Sequence, residues 1–315
     1  MNELMEKIEI AGIHIDCPVM NGAGSCRTIE EVKSLAKSCI SIIVAGSFTI
    51  EEREGNQGEN FWVGGIRENS EDIFSLNSRD LPNQGKEYCE QVIPDMVMIA
   101  HAVGKLLCIS VAGFSPQEYA ILAKKAFELG ADIVELNLSC PNVWENGKQK
   151  RIACFEPDLV REILRTVQEA VGTSAKVFVK LSPFSNPRAL KEIAEIIAQF
   201  ELVKAVVSMN TFPDACLFDE KGRPRVTVGE GLAGLGGPAV KPIAFGQVKQ
   251  LRSLLPKRIA VVGVGGIMTG QDIKDMHRAG ASLCQVCTLL LKGETNPKNW
   301  PNTFTTLMSQ YFEAE

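Results

Sequence analysis

Asn137, Cys140 and Asn142 fall within six residues of one another, in the stretch Val134-Glu135-Leu136-Asn137-Leu138-Ser139-Cys140-Pro141-Asn142. An asparagine amide offers one acceptor and two donors in one plane. A thiol can move a proton when its acidity is tuned toward neutrality. Two amides flanking a thiol therefore suit a flat, amide-rich ligand beside a proton-transfer group. Pro141 fixes its own φ and restricts the residue before it, so Cys140 is expected in an extended or turn conformation. By itself Cys-Pro-Asn also fits a helix-capping turn over a buried cysteine. The placement of the other polar residues decides between the two.

The stretch opens as a short buried strand at 133–136. Seven further strands of this kind are expected at 18–21, 41–45, 106–111, 177–181, 205–209, 259–262 and 283–286. Helix-patterned segments separate them. Thr28 to Glu31, Ser115 to Glu118 and Thr269 to Asp272 have the spacing of helix-starting capping boxes. Further helices are expected at 86–103, 156–171, 187–200 and 241–254. Strand–helix alternation argues for parallel pairing, and eight units in this length fit an α/β fold of the (β/α)8 TIM barrel type. A doubly wound sheet would carry Gly-x-Gly-x-x-Gly after its first strand. Here Gly22-x-Gly24 meets Arg27, and Gly263-x-Gly265 meets Met268. With no linker and no internal repeat, residues 1–315 read as one barrel domain. Segment 51–82 lacks a clean period and reads as a long lid loop, with Trp62 as a ligand cover or a packing anchor. Segment 212–237 reads as an irregular insertion, 9–15 as a strand-like lead-in, and the tail from Trp300 as a short helix.

In such a barrel the site lies at the C-terminal strand ends. Ser47 follows strand two, the Asn137–Asn142 cluster strand four, and Asn210 and Thr211 strand six; Lys180 sits on strand five. A chance scatter would not gather a lysine, three amides and a thiol there, so the opening stretch reads as functional. Gly265, Gly266 and Thr288, after strands seven and eight, suit a phosphate held by backbone N–H groups. Together they suggest a phosphorylated cofactor lying across the barrel mouth. Lys180 also suits a Schiff-base lyase. His14, His101 and His277 fall at no strand end, which argues against a catalytic triad or a histidine metal site. Cys284-x-x-Cys287 has metal-like spacing but no partner pair, and it reads as packing, as do the other cysteines outside the cluster.

The net charge of −5 argues against a nucleic-acid partner. The ten cysteines lack regular spacing and read as reduced thiols, hence a cytoplasmic protein. No signal peptide and no membrane-spanning run is evident. Apolar content of 45% and charged content of 23% are those of a globule that needs no disulfide or metal for stability.

Asn137-Leu-Ser-Cys-Pro-Asn142, Lys180, Asn210-Thr211, Gly263-Val-Gly-Gly-Ile267, Thr269-Gly-Gln-Asp272 and Glu52-Arg-Glu-Gly-Asn56 resemble the class 1 dihydroorotate dehydrogenases. Asn77-Ser78-x-x-Leu81-Pro82-Asn83 is most similar to the homodimeric, fumarate-using branch, and the likeness runs from about residue 8 to 292. The resemblance implies an FMN-containing barrel that oxidises (S)-dihydroorotate to orotate in pyrimidine biosynthesis, with fumarate as electron acceptor. It implies Cys140 as the base. Asn77, Arg79, Leu81, Asn137, Asn142, Asn210 and Thr211 are implied around the substrate. Ala23, Gly24, Ser47, Asn137, Lys180, Gly237, Gly265, Gly266, Cys287 and Thr288 are implied around FMN. Two positions depart from the family pattern. Gly46 stands where the family has a lysine near flavin and substrate carboxylate, and Arg79-Asp80 stands where the branch has Met-Gly. Either Arg79 takes over the carboxylate, or the substrate is a related pyrimidine without one, as in the dihydropyrimidine dehydrogenases.

Overall fold

The computed structural model describes residues 8–10, 12–65, 73–145, 148–291 and 296–313. Eight strands form one parallel sheet: β1 (Val19–Asn21), β2 (Ile42–Phe48), β3 (Leu106–Val111), β4 (Ile133–Asn137), β5 (Val177–Lys180), β6 (Val203–Val207), β7 (Ala260–Val264) and β8 (Leu283–Val286). They are hydrogen-bonded in the order β1-β8-β7-β6-β5-β4-β3-β2. Helices follow the first seven in turn: α1 (Ile29–Ala36), α2 (Gly85–His101), α3 (Pro116–Glu128), α4 (Pro157–Val171), α5 (Pro187–Ile197), α6 (Lys241–Leu254) and α7 (Gly270–Ala279). Thr28 and Thr269 make full capping boxes, and Ser115 caps α3 from below Pro116. The expected TIM barrel is the fold observed.

Side chains on a strand alternate between faces. Val134, Leu136, Val177, Val179 and Val261 pack outward against buried residues of the helices, such as Ile163, Leu164, Ala194 and Val248. Met20, Ile42, Val44, Ile133, Phe178, Val207, Val262 and Leu283 fill the barrel interior. Ile10 and Ile15 join this inner cluster from an antiparallel hairpin, Ile8–Ile10 with Ile13–Ile15. The expected lead-in strand is thus a plug for the N-terminal end of the barrel; residue 11 lies outside the described residues.

No backbone ladder joins β1 to β2. Side chain and loop close this seam instead. The Asn21 amide donates to Val44 O at 2.7 Å and accepts from Val44 N at 2.9 Å. Above it, Gly24 N donates to Gly46 O at 2.7 Å and Gly46 N donates to Cys26 O at 2.8 Å. Gly46 has φ 118°, and a Cβ there would lie 2.3 Å from Ser110 O. Only glycine meets both conditions. We expect Gly46→Ala to lower stability by about 2–6 kcal/mol, combining backbone strain and overpacking of about 1–3 kcal/mol each. The midpoint of urea unfolding reads this; an unchanged midpoint would contradict the seam.

Two expectations are corrected. Segment 51–82 is not a featureless lid: it holds strands Phe61–Gly65 and Ile73–Asn77, while residues 66–72 lie outside the described residues. The insertion 212–237 holds strands Phe212–Ala215 and Ala233–Gly236. The four make one antiparallel sheet in the order Phe212–Ala215, Ala233–Gly236, Ile73–Asn77, Phe61–Gly65. Each strand is short, and the central pairing joins segments far apart in the chain, so neither segment shows the period by itself. Strand β2 also runs past the expected 45 to Phe48, resuming its ladder at Val111 after an irregularity.

Candidate active site

Register decides what faces the barrel mouth. Lys180 on β5 pairs with Asn137 on β4, and Phe178 pairs with Glu135. Period-two alternation therefore turns Glu135, Asn137, Phe178 and Lys180 inward together. Lys180 Nζ lies 3.9 Å from Glu135 Oε1, with both side chains buried. Ser110 Oγ donates to Glu135 Oε1 at 3.2 Å, and Gln285 Nε2 donates to Oε2 at 2.8 Å. This fully buried carboxylate thus has partners on β3, β5 and β8.

Above it lies an amide network. Asn137 Nδ2 donates to Ser47 Oγ at 2.9 Å, and Ser47 Oγ is 2.9 Å from Ser110 Oγ. Asn210 Nδ2 donates to Ser139 Oγ at 3.1 Å and to Asn137 Oδ1 at 3.4 Å. Thr211 N donates to Asn210 Oδ1 at 2.8 Å. The side chains of Ser47, Asn137 and Asn210 are thereby fixed relative to one another before any ligand arrives.

A cleft of about 820 Å³, its open mouth included, lies over this network. Ala23, Gly24, Asn77, Arg79, Lys180, Asn210, Thr211, Gly237, Gly265, Gly266, Cys287 and Thr288 all line it. The antiparallel sheet supplies one wall through Phe61, Asn77, Leu235 and Gly236. Gly237, Gly265 and Gly266 have positive φ, and a Cβ on Gly266 would sit 3.0 Å from Gly237 O. This bare-backbone cradle fits a phosphate group. Two buried polar atoms on cleft-lining residues, Arg27 Nε and Gln285 Oε1, have no hydrogen-bond partner among the described residues. Such atoms await a ligand's acceptor and donor. Glycine cradle, lysine and amide network together fit a flat, phosphorylated, hydrogen-bonding cofactor.

The cleft is electropositive. Arg79 stacks its guanidinium over the Phe61 ring at 3.6 Å to the centroid. Burial, then the neighbouring Arg27, pulls its pKa below the ordinary arginine value. Its neighbour Asp80, which also lines the cleft, is paired with Arg53, its Oδ2 accepting from Arg53 Nη2 at 2.6 Å and from Nε at 3.0 Å.

Cys140 does not line this cleft. It lines an adjoining cavity with Leu81, Ala112, Val143 and Asn137, and Asn137 stands between the two spaces through its contact with Asn210. Enclosure pushes the Cys140 thiol up to about 12, and Asp80 adds to the rise. The Asn142 N–H, Arg53 and Lys180 pull the other way. Asn142 is buried, its carbonyl accepting from Asn56 Nδ2 at 3.0 Å. Its own amide reaches toward Gly234, where a Cβ would lie 3.3 Å from Nδ2 and 2.0 Å from Thr211 Oγ1.

Glu135, Ser110, Gln285 and Arg27 were not among the residues expected from sequence. Glu135 had a signal, since it lies two residues before Asn137 on the same strand face. Arg27 had only the negative one of breaking a glycine motif. The three histidines lie apart from the cleft: His14 on Asp16, His101 on Asp132, His277 on the Ala281 carbonyl. Among the described residues no group of three or more His, Cys, Asp or Glu could hold a metal ion, and no helix is long and apolar enough to cross a membrane.

A family model described as dihydroorotate dehydrogenase matches residues 5–301. A Streptococcus pneumoniae protein named probable dihydroorotate dehydrogenase A (fumarate) is 30% identical over 293 residues, covering 91% of this chain and 87% of its own. Dihydroorotate dehydrogenase A (fumarate) of Lactococcus lactis subsp. lactis is 32% identical over 294 residues, covering 91% and 89%. A putative dihydroorotate dehydrogenase A (fumarate) of Streptococcus agalactiae is 31% identical over 293 residues, covering 91% and 87%.

Proposed function

This chain belongs to the dihydroorotate dehydrogenase family, and on that premise we propose that it oxidises (S)-dihydroorotate to orotate, using FMN, as a step of pyrimidine biosynthesis. The observation that carries the reading is the cleft that joins a glycine phosphate cradle to Lys180 and the Asn137–Asn210 network. The reaction removes a proton from C5 of the dihydropyrimidine and a hydride from C6. FMN bound in the cleft supplies the hydride acceptor, a role no amino-acid side chain can fill.

The chain's own residues do the rest. Gly237, Gly265, Gly266, Cys287 and Thr288 would hold the phosphate end, and Ala23, Gly24 and Ser47 would lie against the ring. Lys180, braced by Glu135, would place positive charge at the ring edge and there favour an electron-rich cofactor. Asn77, Asn137, Asn142, Asn210 and Thr211 fix the substrate plane. Cys140 as thiolate would receive the C5 proton of a substrate that reaches past Asn137 into the adjoining cavity, and Leu81 closes the space beside it. Fumarate as acceptor and a homodimer belong to the same reading, drawn from the branch resemblance; sedimentation tests the dimer.

Gly46 bears on the substrate. The φ of 118° and the closeness of Ser110 O leave no room for a lysine there. Of the cations lining the cleft, Arg79 takes over the carboxylate in this reading. A second reading has this same observation behind it: a dihydropyrimidine without a carboxylate. A Schiff-base lyase is disfavoured by Glu135, which keeps Lys180 in an ion pair. The purified yellow protein, mixed anaerobically with dihydroorotate, dihydrouracil and dihydrothymine, decides. Bleaching by dihydroorotate alone is expected, and Arg79→Ala should raise the dihydroorotate concentration needed by about 10- to 100-fold, the worth of a charge-assisted hydrogen bond. Bleaching only by the uncharged dihydropyrimidines moves the assignment to the second reading. A protein that takes up no FMN sinks both.

A further inference from the structure

We propose that Arg27 recognises the cofactor's phosphate, adding a side-chain contact to the glycine cradle; the inference rests on the flavoprotein reading above. Arg27 lies between the end of β1 and the N-cap of α1, and its guanidinium folds back into the cleft. Nη2 is 3.9 Å from the point a Gly24 Cβ would occupy. The same loop packs on the end of β8: Gly22 N donates to Val286 O at 2.7 Å, and a Gly22 Cβ would lie 3.5 Å from that of Cys287. Arg27 therefore stands where β1 meets β8 at the barrel mouth, and it lines the same cleft as Gly265, Gly266 and Cys287. The amide clamp stands across the mouth on β4 and β6. We assign the phosphate to Arg27 and the substrate carboxylate to Arg79, and the test below separates the two.

The charge on Arg27 has Glu31 nearby but no hydrogen-bonded counter-charge. Among the described residues its guanidinium makes no hydrogen bond and no ion pair, and Nε is buried. Glu31, the nearby carboxylate that attracts it, is engaged elsewhere, accepting from Arg27 N at 2.6 Å and from Thr28 N at 2.9 Å. Burying a cation without a partner is costly, and burial accordingly lowers the Arg27 pKa. Arg79 faces the same cleft and adds like-charge repulsion. An arriving phosphate dianion relieves both costs, and guanidinium groups match phosphate geometry through two parallel hydrogen bonds. Phosphate selectivity in this chain would then come from a side chain as well as from backbone N–H groups.

The test titrates flavin-stripped protein with FMN and with riboflavin, which lacks the phosphate, and follows quenching of flavin fluorescence. The wild type is expected to prefer FMN. Arg27→Met should weaken FMN binding about 10- to 100-fold and leave riboflavin binding within about twofold, with Arg27→Lys recovering part of the loss. Equal weakening of both flavins would reveal a merely structural role and overturn the proposal. So would unchanged FMN affinity, or a loss confined to orotate binding by the FMN-loaded variant, which would give Arg27 to the carboxylate instead. If Arg27→Met does not fold, the FMN-to-riboflavin ratio of Arg27→Lys decides in the same way: a lowered ratio supports the proposal and an unchanged one overturns it. A wild-type protein that binds neither flavin overturns the flavoprotein reading together with this inference; FMN binding that ignores Arg27 overturns the inference alone.

Discussion

Cys140→Ala is expected to slow reduction of the bound flavin by dihydroorotate about 10²–10⁴-fold, the usual contribution of a positioned base, with flavin content unchanged. Only the thiolate can accept a proton, and enclosure pushes the Cys140 thiol up to about 12. The base is thus a small fraction of the enzyme at neutral pH. The reductive rate should rise with pH, by about tenfold per unit where proton abstraction limits, toward that pKa. Stopped-flow bleaching across pH reads both effects. The same shift has a stability consequence of definite sign. A group whose folded pKa is raised contributes stability that is full below its unfolded value, here 9.0, and is lost as pH climbs toward about 12. Cys89 and Cys154, also pushed up to about 12 by burial, act in the same direction. Melting temperature should therefore fall above pH 9 and fall less steeply in Cys140→Ala. A variant that keeps the wild-type rate and pH profile would remove Cys140 from the chemistry.

Lys180→Met is the second large effect, and it has two parts. Glu135 is fully buried, and Lys180 is the one cation within ion-pair distance of it among the described residues. Removing one partner of a buried pair strands the other, at a cost of about 3–5 kcal/mol. Ser110 and Gln285 remain as hydrogen-bond donors and soften the loss. The second part is functional: the cation proposed for the cofactor's ring edge is gone. Glu135→Gln in the same chain separates the parts. The double variant should recover most of the unfolding free energy, because no charge is stranded, yet still reduce its flavin slowly. If the double variant regains turnover as well, Lys180 serves the fold and not the chemistry. If the single variant unfolds at the wild-type denaturant concentration, the Lys180–Glu135 pair contributes nothing to stability.

Much of this protein can be derived from local pattern. The barrel is visible because each β/α unit announces itself over a short window: a buried run, a capping box such as Thr28–Glu31 or Thr269–Asp272, then helical spacing. The positions of Lys180, Asn210 and the Asn137–Asn142 cluster are visible for a related reason. In a parallel barrel the C-terminal strand ends converge whatever the details, so chain order alone assigns residues to the mouth. The proposed reaction type follows from residue types at those ends together with the family motifs.

Tertiary structure decided what depends on pairing between distant segments. The antiparallel sheet that walls the cleft joins Ile73–Asn77 to Ala233–Gly236, and neither strand carries enough residues to show a period. The seam at Asn21 and Gly46 exists only because β1 and β2 meet when the barrel closes. It turns an apparent loss of lysine into a steric requirement for glycine. Glu135 and Gln285 sit in strands that look simply buried, and register alone brings both to Lys180's end of the barrel interior. Arg27 is the sharpest case. In the sequence it is the residue that spoils a glycine motif after the first strand. In the fold it is a cation lining the same cleft as the glycine cradle, with its Nε unbonded among the described residues, because β1 lies next to β8. Local sequence determines which elements form and which residues reach the mouth, since those are short-range properties of the chain. Which charges are left without partners, and hence what the site can attract, depends on distances across the closed barrel.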